Sequence, residues 1–137
     1  MITVLLADDH GIVRDALRYL LEAQGDIQII ATAADGQEAV ELATSNCPDV
    51  AVMDISMPRM DGIEATRQIC GLCPHTHVVM LTIYNSAEHI QHALQAGASG
   101  YVLKEAAGQE LVAAIRALHN GGNYFSPRID TRHIRRP

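Results

Sequence analysis

Four of the five apolar, strand-like segments in this sequence are followed at once by residues that can do chemistry. Acidic side chains follow the first and third segments, a hydroxyl follows the fourth, and the only lysine follows the fifth. In chain order these residues are Asp8, Asp9, Asp54, Thr82 and Lys104. Ligands of open parallel sheets bind beyond the carboxyl ends of the strands, so we expect these side chains to meet at one edge.

Three carboxylates at one edge would repel each other strongly. A like-charge pair 4 Å apart costs about 4 kcal/mol at an effective dielectric constant of 20. Lys104 would offset one charge, and a divalent cation would offset the rest. Oxygen ligands with open water positions suit Mg²⁺, which commonly accompanies phosphoryl groups. A carboxylate can itself act as a nucleophile and form an aspartyl-phosphate. Any single aspartate is more simply a cap or a solvated loop residue, but the combination favours a site.

The order of elements explains how these residues would be brought together. Each strand-like segment is followed by apolar residues at helical spacing, which predicts a five-stranded parallel sheet with five helices on both faces. The segments are Ile2–Ala7, Ile27–Ala33, 50–53, 77–81 and Gly100–Leu103. Capping boxes are predicted at Asp35, Asp61 and Asn85, and left-handed helix ends at Gly25, Gly97 and Gly121.

Composition limits the classes of protein to which the chain can belong. The 137 residues fit one compact domain, and no apolar run approaches the roughly 20 residues of a membrane span. The N-terminus lacks a basic leader, so we expect a cytoplasmic protein without a membrane partner. The net charge is −6 although residues 128–137 hold four arginines and one aspartate. An acidic body is unsuited to a nucleic-acid backbone, and the basic tail is interpreted as a linker.

The three cysteines are predicted to be free thiols, because their number suits no disulfide framework. Cys70 and Cys73 have the spacing of a redox dithiol, but they close a helix rather than open one. A zinc site with His75 and His77 would have unusually compressed spacing. We expect a partly buried Cys70 and an exposed Cys73. His89 and His92 are expected on a solvated helix face, and His10 in a loop beside the acidic pair.

Several stretches together resemble the receiver domain of bacterial two-component response regulators. They are LLADDH at 5–10, VMDISMPRMDG at 52–62, LT at 81–82 and GYVLK at 100–104. The resemblance covers residues 1 to about 125 and implies a flavodoxin-like sheet of order 2-1-3-4-5. The segments 96–104 and 121–127 are similar to the subfamily that carries a LuxR-type helix-turn-helix output domain.

The resemblance implies a role for each residue of the acidic edge. Asp54 would accept a phosphoryl group from a histidine kinase or a small phosphodonor. Asp9 would hold Mg²⁺ directly, Asp8 would do so directly or through water, and Asp54 and the backbone carbonyl of Ser56 would complete the protein ligands. Lys104 would pair with the phosphoryl oxygens. The domain would catalyse only its own phosphotransfer and dephosphorylation, so we do not expect a classical enzyme.

The resemblance also implies a conformational switch. Thr82 would turn its hydroxyl onto the phosphoryl group, and Tyr101 would turn inward into the space that Thr82 leaves. The surface of the fourth helix, fifth strand and fifth helix would report the change. Ile83 stands where many receivers have a small residue, and we expect it to restrict access of water to the phosphorylated site.

The resemblance divides the chain into a receiver at 1–125 and a basic tail at 126–137. We expect the tail to lead to an output domain absent from this chain, with DNA contacted only through that domain, and phosphorylation to favour a homodimer. A stand-alone receiver acting by protein contacts is the alternative. A haloacid-dehalogenase-like phosphatase would need an acid where Ser56 stands. A flavodoxin-like FMN carrier is disfavoured, because Asp8 and Asp9 would repel its phosphate.

Overall fold

The centre of the molecule is a parallel sheet whose central strands are buried on both faces. The computed structural model describes residues 1–127 and 129. The strand order is β2-β1-β3-β4-β5-β6, so the predicted order of the first five strands is confirmed. The strands are β1 Ile2–Ala7, β2 Ile27–Ala33, β3 Val50–Asp54, β4 His77–Thr82, β5 Gly100–Leu103 and β6 Tyr124–Phe125. The sixth strand was not predicted, since two residues carry no periodic signal.

Five α-helices cover the two faces of the sheet, as predicted. They are α1 Gly11–Glu22, α2 Gly36–Asn46, α3 Gly62–Leu72, α4 Ala87–Ala96 and α5 Ala107–His119, and a short 3₁₀ turn spans Lys104–Ala106. Leu21 of α1 and Ile115 of α5 belong to one core, and Ile69 of α3 belongs to the other. Over the described part of the chain, each helix is too short or too polar to cross a bilayer.

Most of the predicted helix boundaries are confirmed. Asp35 and Asp61 accept hydrogen bonds from the amides of Glu38 and Glu64, each at 2.8 Å. Gly25, Gly97 and Gly121 all have positive φ, with values of 82°, 113° and 85°. The prediction for α4 was wrong by one residue. Its cap is Ser86 rather than Asn85, and the Ser86 hydroxyl accepts from the amide of His89 at 3.2 Å.

The cysteine prediction was wrong for two of the three thiols. Cys47 and Cys73 form a disulfide with a Cα–Cα distance of 5.6 Å, which is within the usual range. The two residues follow the last turns of α2 and α3, so the bond joins these helix ends. Cys73 is 2% exposed rather than exposed as predicted. Cys70 is a free, partly buried thiol, as predicted, and burial raises its pKa.

The residues after β6 continue to contact the domain. The amide of Ser126 donates to the carbonyl of Tyr101 at 3.0 Å, and the Ser126 hydroxyl accepts from the amide of Leu103 at 3.1 Å. That hydroxyl donates to a carboxylate oxygen of Glu110 at 2.6 Å, and Ile129 is 7% exposed. The division between 125 and 126 stays a prediction, and most of the predicted basic tail lies outside the described residues.

The loop that follows β3 is held against the strand by a close backbone approach at Gly62. A Cβ at this position would lie 2.0 Å from the carbonyl oxygen of Asp54. The amide of Gly62 also donates to the carbonyl of Ile55 at 2.7 Å. Glycine is therefore required at the start of α3, where it lets the helix pack directly against the residue that ends β3.

We expect Gly62→Ala to lower the free energy of unfolding by about 2 kcal/mol or more, since the added methyl overlaps backbone that cannot move cheaply. The matched control is Gly108→Ala in α5, where an added Cβ meets nothing within 4 Å. That change should raise stability by about 1 kcal/mol or less. Urea denaturation measures both, and equal effects of the two substitutions would contradict the packing argument.

Candidate functional site

The carboxyl edge of the sheet brings together the acidic residues named from the sequence. Asp8, Asp9, His10 and Asp54 each offer a ligand atom, and these atoms all lie within 4.8 Å of one another. Asp8 is fully buried, and Asp54 is 2% exposed. The two strands that deliver them, β1 and β3, are neighbours in the sheet. Asp9 and Asp54 are therefore close enough to share one ion.

Backbone contacts fix Asp8 at the end of β1. Its amide donates to the carbonyl of Ala33 at 3.0 Å, and its own carbonyl accepts from the Arg14 guanidinium at 2.7 Å. The oxygen Oδ1 accepts from the amide of His10 at 2.8 Å. The other oxygen, Oδ2, is buried and lies 3.3 Å from the ammonium of Lys104. Burial of a carboxylate oxygen with only one long contact is costly, so this atom is suited to bind a cation.

Lys104 supplies the positive charge opposite the aspartates. Its ammonium lies 3.0 Å from Oδ2 of Asp54 and 3.3 Å from Oδ2 of Asp8. Burial by itself would lower the pKa of Lys104, but the hydrogen bond and charge of Asp54, followed by those of Asp8, raise it above its ordinary value. Lys104 therefore stays charged and holds both carboxylates at the edge of the sheet.

The same surroundings change the acidity of Asp54. Burial is the largest influence and raises the pKa of Asp54 to about 6, and the negative charge of Asp8 acts in the same direction. Hydrogen bonds from Lys104 and from the amide of Ser56 oppose the rise. The Ser56 amide lies 3.3 Å from Oδ1 of Asp54. One ammonium is thus too little to compensate two buried carboxylates.

The residues present fit a hard divalent cation such as Mg²⁺. Two buried carboxylates and an exposed third converge, with a single ammonium beside the buried pair. Oxygen donors of this kind are the ligands that Mg²⁺ prefers. His10 was predicted only as a neighbour of the site, yet its Nδ1 lies 3.2 Å from both Asp8 and Asp9. The role of the Ser56 carbonyl stays a prediction.

The two residues predicted to form a switch meet at a third, Tyr84. The hydroxyl of Thr82 accepts from the amide of Tyr84 at 3.1 Å. Tyr101 is 1% exposed, and its hydroxyl donates to the carbonyl of Tyr84 at 2.9 Å. Burial raises the pKa of Tyr101 to about 12. The buried side chain of Tyr101 thus already points inward in this structure. The contacts of Tyr84 were not predicted from the sequence.

Comparison with known proteins assigns the family. The family model described as "Response regulator receiver domain" matches residues 4–116. The chain belongs to this family. The receiver domain is also similar to a solved two-component response regulator of the LuxR family from Aurantimonas sp. SI85-9A1. That likeness has a TM-score of 0.90 and 39% identity, over 94% of this chain and 92% of that one.

Curated relatives of this receiver domain are longer than the chain. The oxygen regulatory protein NreC of Staphylococcus carnosus is 39% identical over 93% of this chain and 59% of its own length. The uncharacterized transcriptional regulatory protein YxjL of Bacillus subtilis is 42% identical over 90% of this chain and 57% of its own length. The chain thus spans somewhat more than half the length of these relatives.

The electrostatics of the site predict opposite effects for two substitutions. Asp8→Asn removes a negative charge and should lower the pKa of Asp54, whereas Lys104→Gln removes the compensating ammonium and should raise it. Carbon-13 NMR of the Asp54 carboxyl in metal-free protein measures both. A shift in the same direction in both variants would contradict the assignment.

Because a cation binds the carboxylate form, Mg²⁺ affinity should weaken as the pH falls below about 6.

Proposed function

We propose that this receiver domain is a phosphorylation-driven switch in which Asp54 accepts a phosphoryl group in a reaction that requires Mg²⁺. The observation that carries the proposal is the convergence of Asp8, Asp9 and Asp54 around one point, opposite the ammonium of Lys104. Aspartate is a nucleophile in reactions of this kind, and the surrounding charges decide whether a phosphoryl group can approach it.

Each residue would have a defined part in the transfer. Asp8, Asp9, Asp54 and the backbone carbonyl of Ser56 would hold Mg²⁺, which when bound offsets charge on the carboxylates and the incoming phosphoryl oxygens. An oxygen of Asp54 attacks phosphorus, and the bond from phosphorus to the donor's leaving group breaks with its electron pair. Lys104 would form an ion pair with the phosphoryl oxygens, since its ammonium already lies beside Asp54.

The response to phosphorylation would begin at Thr82. A phosphoryl group adds charge and strong acceptor oxygens at one point. The Thr82 hydroxyl, which here accepts from the amide of Tyr84, would instead donate to a phosphoryl oxygen. Tyr101 would then be held inward, and the surface formed by α4, β5 and α5 would present the altered conformation. Such local contacts can bias an element that has two arrangements.

Membership of the family supports a proposal for the partners. We propose a histidine kinase as the phosphodonor in the cytoplasm, a homodimer favoured by phosphorylation, and control of transcription through a DNA-binding output domain outside this chain. The basic tail at 126–137 would be the linker to that domain. The alternative is a receiver that acts alone through protein contacts. A phosphatase is disfavoured because Ser56 stands where its acid would be, with its hydroxyl 3.1 Å from that of Tyr84.

The direct test is incubation of the full chain with acetyl phosphate, with and without Mg²⁺, followed by intact mass measurement. We expect one phosphoryl group on the wild type, only when Mg²⁺ is present, and none on Asp54→Asn. The matched control is Asp15→Asn, an exposed aspartate on α1, which should be phosphorylated like the wild type. Equal labelling of Asp54→Asn and wild type would overturn the proposal.

Ile83 offers a second test at the mouth of the site. Its side chain is 73% exposed and lines a cavity of about 190 Å³ with Thr82, Leu103, Lys104 and Glu105. We expect Ile83→Ala to hydrolyse the phosphorylated form faster by a factor of about 3, because water gains access to the acyl phosphate. Leu72→Ala, 57% exposed at the far end of α3, should leave the rate unchanged. An unaltered rate in Ile83→Ala contradicts the shielding role.

A further inference from the structure

Cys47 and Cys73 form a covalent link that no role assigned so far uses. Cys47 follows the last turn of α2 and precedes β3, and Cys73 follows the last turn of α3 and precedes β4. The bond therefore lies at the amino end of the sheet, opposite the carboxyl end that carries Asp54. The spacing that suggested a redox dithiol in the sequence involves Cys70 and Cys73, but the structure pairs Cys73 with Cys47.

The two halves of the bond differ in their access to solution. Cys47 is exposed, whereas Cys73 is 2% exposed. Thiol–disulfide exchange begins when a thiolate attacks one sulfur of a disulfide, and access helps to decide which sulfur is attacked. A thiol from solution would therefore attack Cys47, and Cys73 would be the leaving sulfur. Exposed disulfides are the labile ones, and disulfides in reducing compartments are usually transient.

The surroundings of Cys73 provide a partner for the sulfur once it is reduced. Its Sγ lies 3.3 Å from the carbonyl oxygen of Ala43, within reach of a thiol hydrogen bond. The same carbonyl accepts from the amide of Cys47 at 2.6 Å. A thiol released at Cys73 would donate to Ala43 without any movement of α3, so its burial would leave no polar atom unsatisfied. The buried half of the pair is therefore suited to both oxidation states.

The third cysteine is poorly placed to compete with the pair. The Sγ of Cys70 lies 3.6 Å from the carbonyl oxygen of Gly97, and a Cβ on Gly97 would lie 2.9 Å from the same sulfur. Cys70 is therefore packed against the residue that caps α4. Burial raises the pKa of its thiol, so little of it is present as the reactive thiolate.

Contacts beside the bond decide which segment its opening would release. The turn after α3 is held independently, because the amide of Thr76 donates to the carbonyl of Cys73 at 3.0 Å. The hydroxyl of Thr76 donates to the carbonyl of Pro48 at 2.6 Å, which fixes the start of β3 as well. Residues 44–47 at the end of α2 are exposed by contrast. Opening of the bond would therefore loosen the end of α2 and leave the turn after α3 in place.

We propose that Cys47 and Cys73 are a reversible thiol–disulfide site, opened by a dithiol reductant, that fastens the end of α2 to the end of α3 only in its oxidised state. A thiolate of the reductant attacks Sγ of Cys47, the bond between the two protein sulfurs breaks, and its electron pair leaves on Sγ of Cys73. The second thiolate of the reductant then displaces Cys47, and the reductant becomes a cyclic disulfide. Both protein sulfurs take up the protons that the two reductant thiols have lost.

Closure of the site is the reverse exchange with a low-molecular-weight disulfide. One protein thiolate attacks this disulfide and releases the first small thiol, and the other protein thiolate then displaces the second. The protein sulfurs are oxidised to the Cys47–Cys73 bond, and the small disulfide is reduced to two thiols. The site thus needs no metal and no phosphoryl group.

A thiol count on the folded full chain tests reversibility. The protein is treated with dithiothreitol, freed of it and treated with oxidised glutathione, and each sample is quenched in acid, unfolded and alkylated for intact mass measurement. We expect three alkylated thiols after dithiothreitol and one after glutathione. Cys70→Ser is the matched control and should give two and none. The same count under both conditions, or a lasting glutathione adduct in place of the internal bond, would overturn the proposal.

Thermal unfolding measures what the bond fastens. Closure across 26 residues should raise Tm by on the order of 10 °C in the wild type and in Cys70→Ser. Cys47→Ser should have the same Tm after either reagent, and Cys47→Ala separates the lost bond from the added hydroxyl. A wild-type Tm that is equal in the two oxidation states would contradict the fastening role.

Amide hydrogen exchange locates the segment that is released. Reduction should speed exchange of the Cys47 amide at the end of α2. The Cys73 amide, which donates to the carbonyl of Ile69 at 2.7 Å, should keep its rate. Equal acceleration at both amides, or at neither, would contradict the release of α2 alone. None of these measurements involves Asp54 or Mg²⁺, so failure of the proposed function would leave their outcome unchanged.

Discussion

The structure depends on an excess of negative charge that the fold forces into a small buried volume. The carboxyl ends of β1 and β3 place Asp8 and Asp54 together below the surface, and the turn after β5 places Lys104 against both. The balance is incomplete, since one ammonium faces the buried carboxylates of Asp8 and Asp54 while Asp9 adds a third negative charge. A site of this kind costs folding free energy when empty, and it gains most from a ligand that brings positive charge.

Close backbone packing around Asp54 also fixes the position of the loop that follows it. Gly62 allows α3 to begin in contact with the carbonyl of Asp54, and Gly36 would place a Cβ 2.0 Å from the carbonyl of Met60. The loop from β3 to α3 is thereby confined between the strand and the start of α2. Arg59 in this loop has φ of 66° and forms an ion pair with Asp35, the cap of α2. The backbone of this loop is therefore fixed in position beside Asp54 before any ligand binds.

The site residues that were predicted correctly from the sequence can all be located from the local sequence pattern around them. Asp54 ends an apolar strand, and Asp8 and Lys104 each directly follow one. The parallel alternation of elements is enough to bring such positions together. The features that were missed depend on contacts between distant residues. The Tyr84–Ser56 bond spans 28 positions and the Cys47–Cys73 bond 26, and neither leaves a periodic or spaced signal. At α4, Asn85 and Ser86 are both favourable cap residues, so residue type alone did not distinguish them, and the structure has Ser86 as the cap.

The contacts of Ser126 link the segment after β6 to strand β5. Its amide is bonded to the carbonyl of Tyr101, and its hydroxyl to the amide of Leu103, the residue before Lys104. Tyr101 and Leu103 of β5 are thus both hydrogen-bonded to the segment that follows β6. A displacement of β5 would have to move Ser126 with it or break these two hydrogen bonds. Ser126 is therefore coupled through β5 to the edge of the sheet that carries Lys104 and the aspartates.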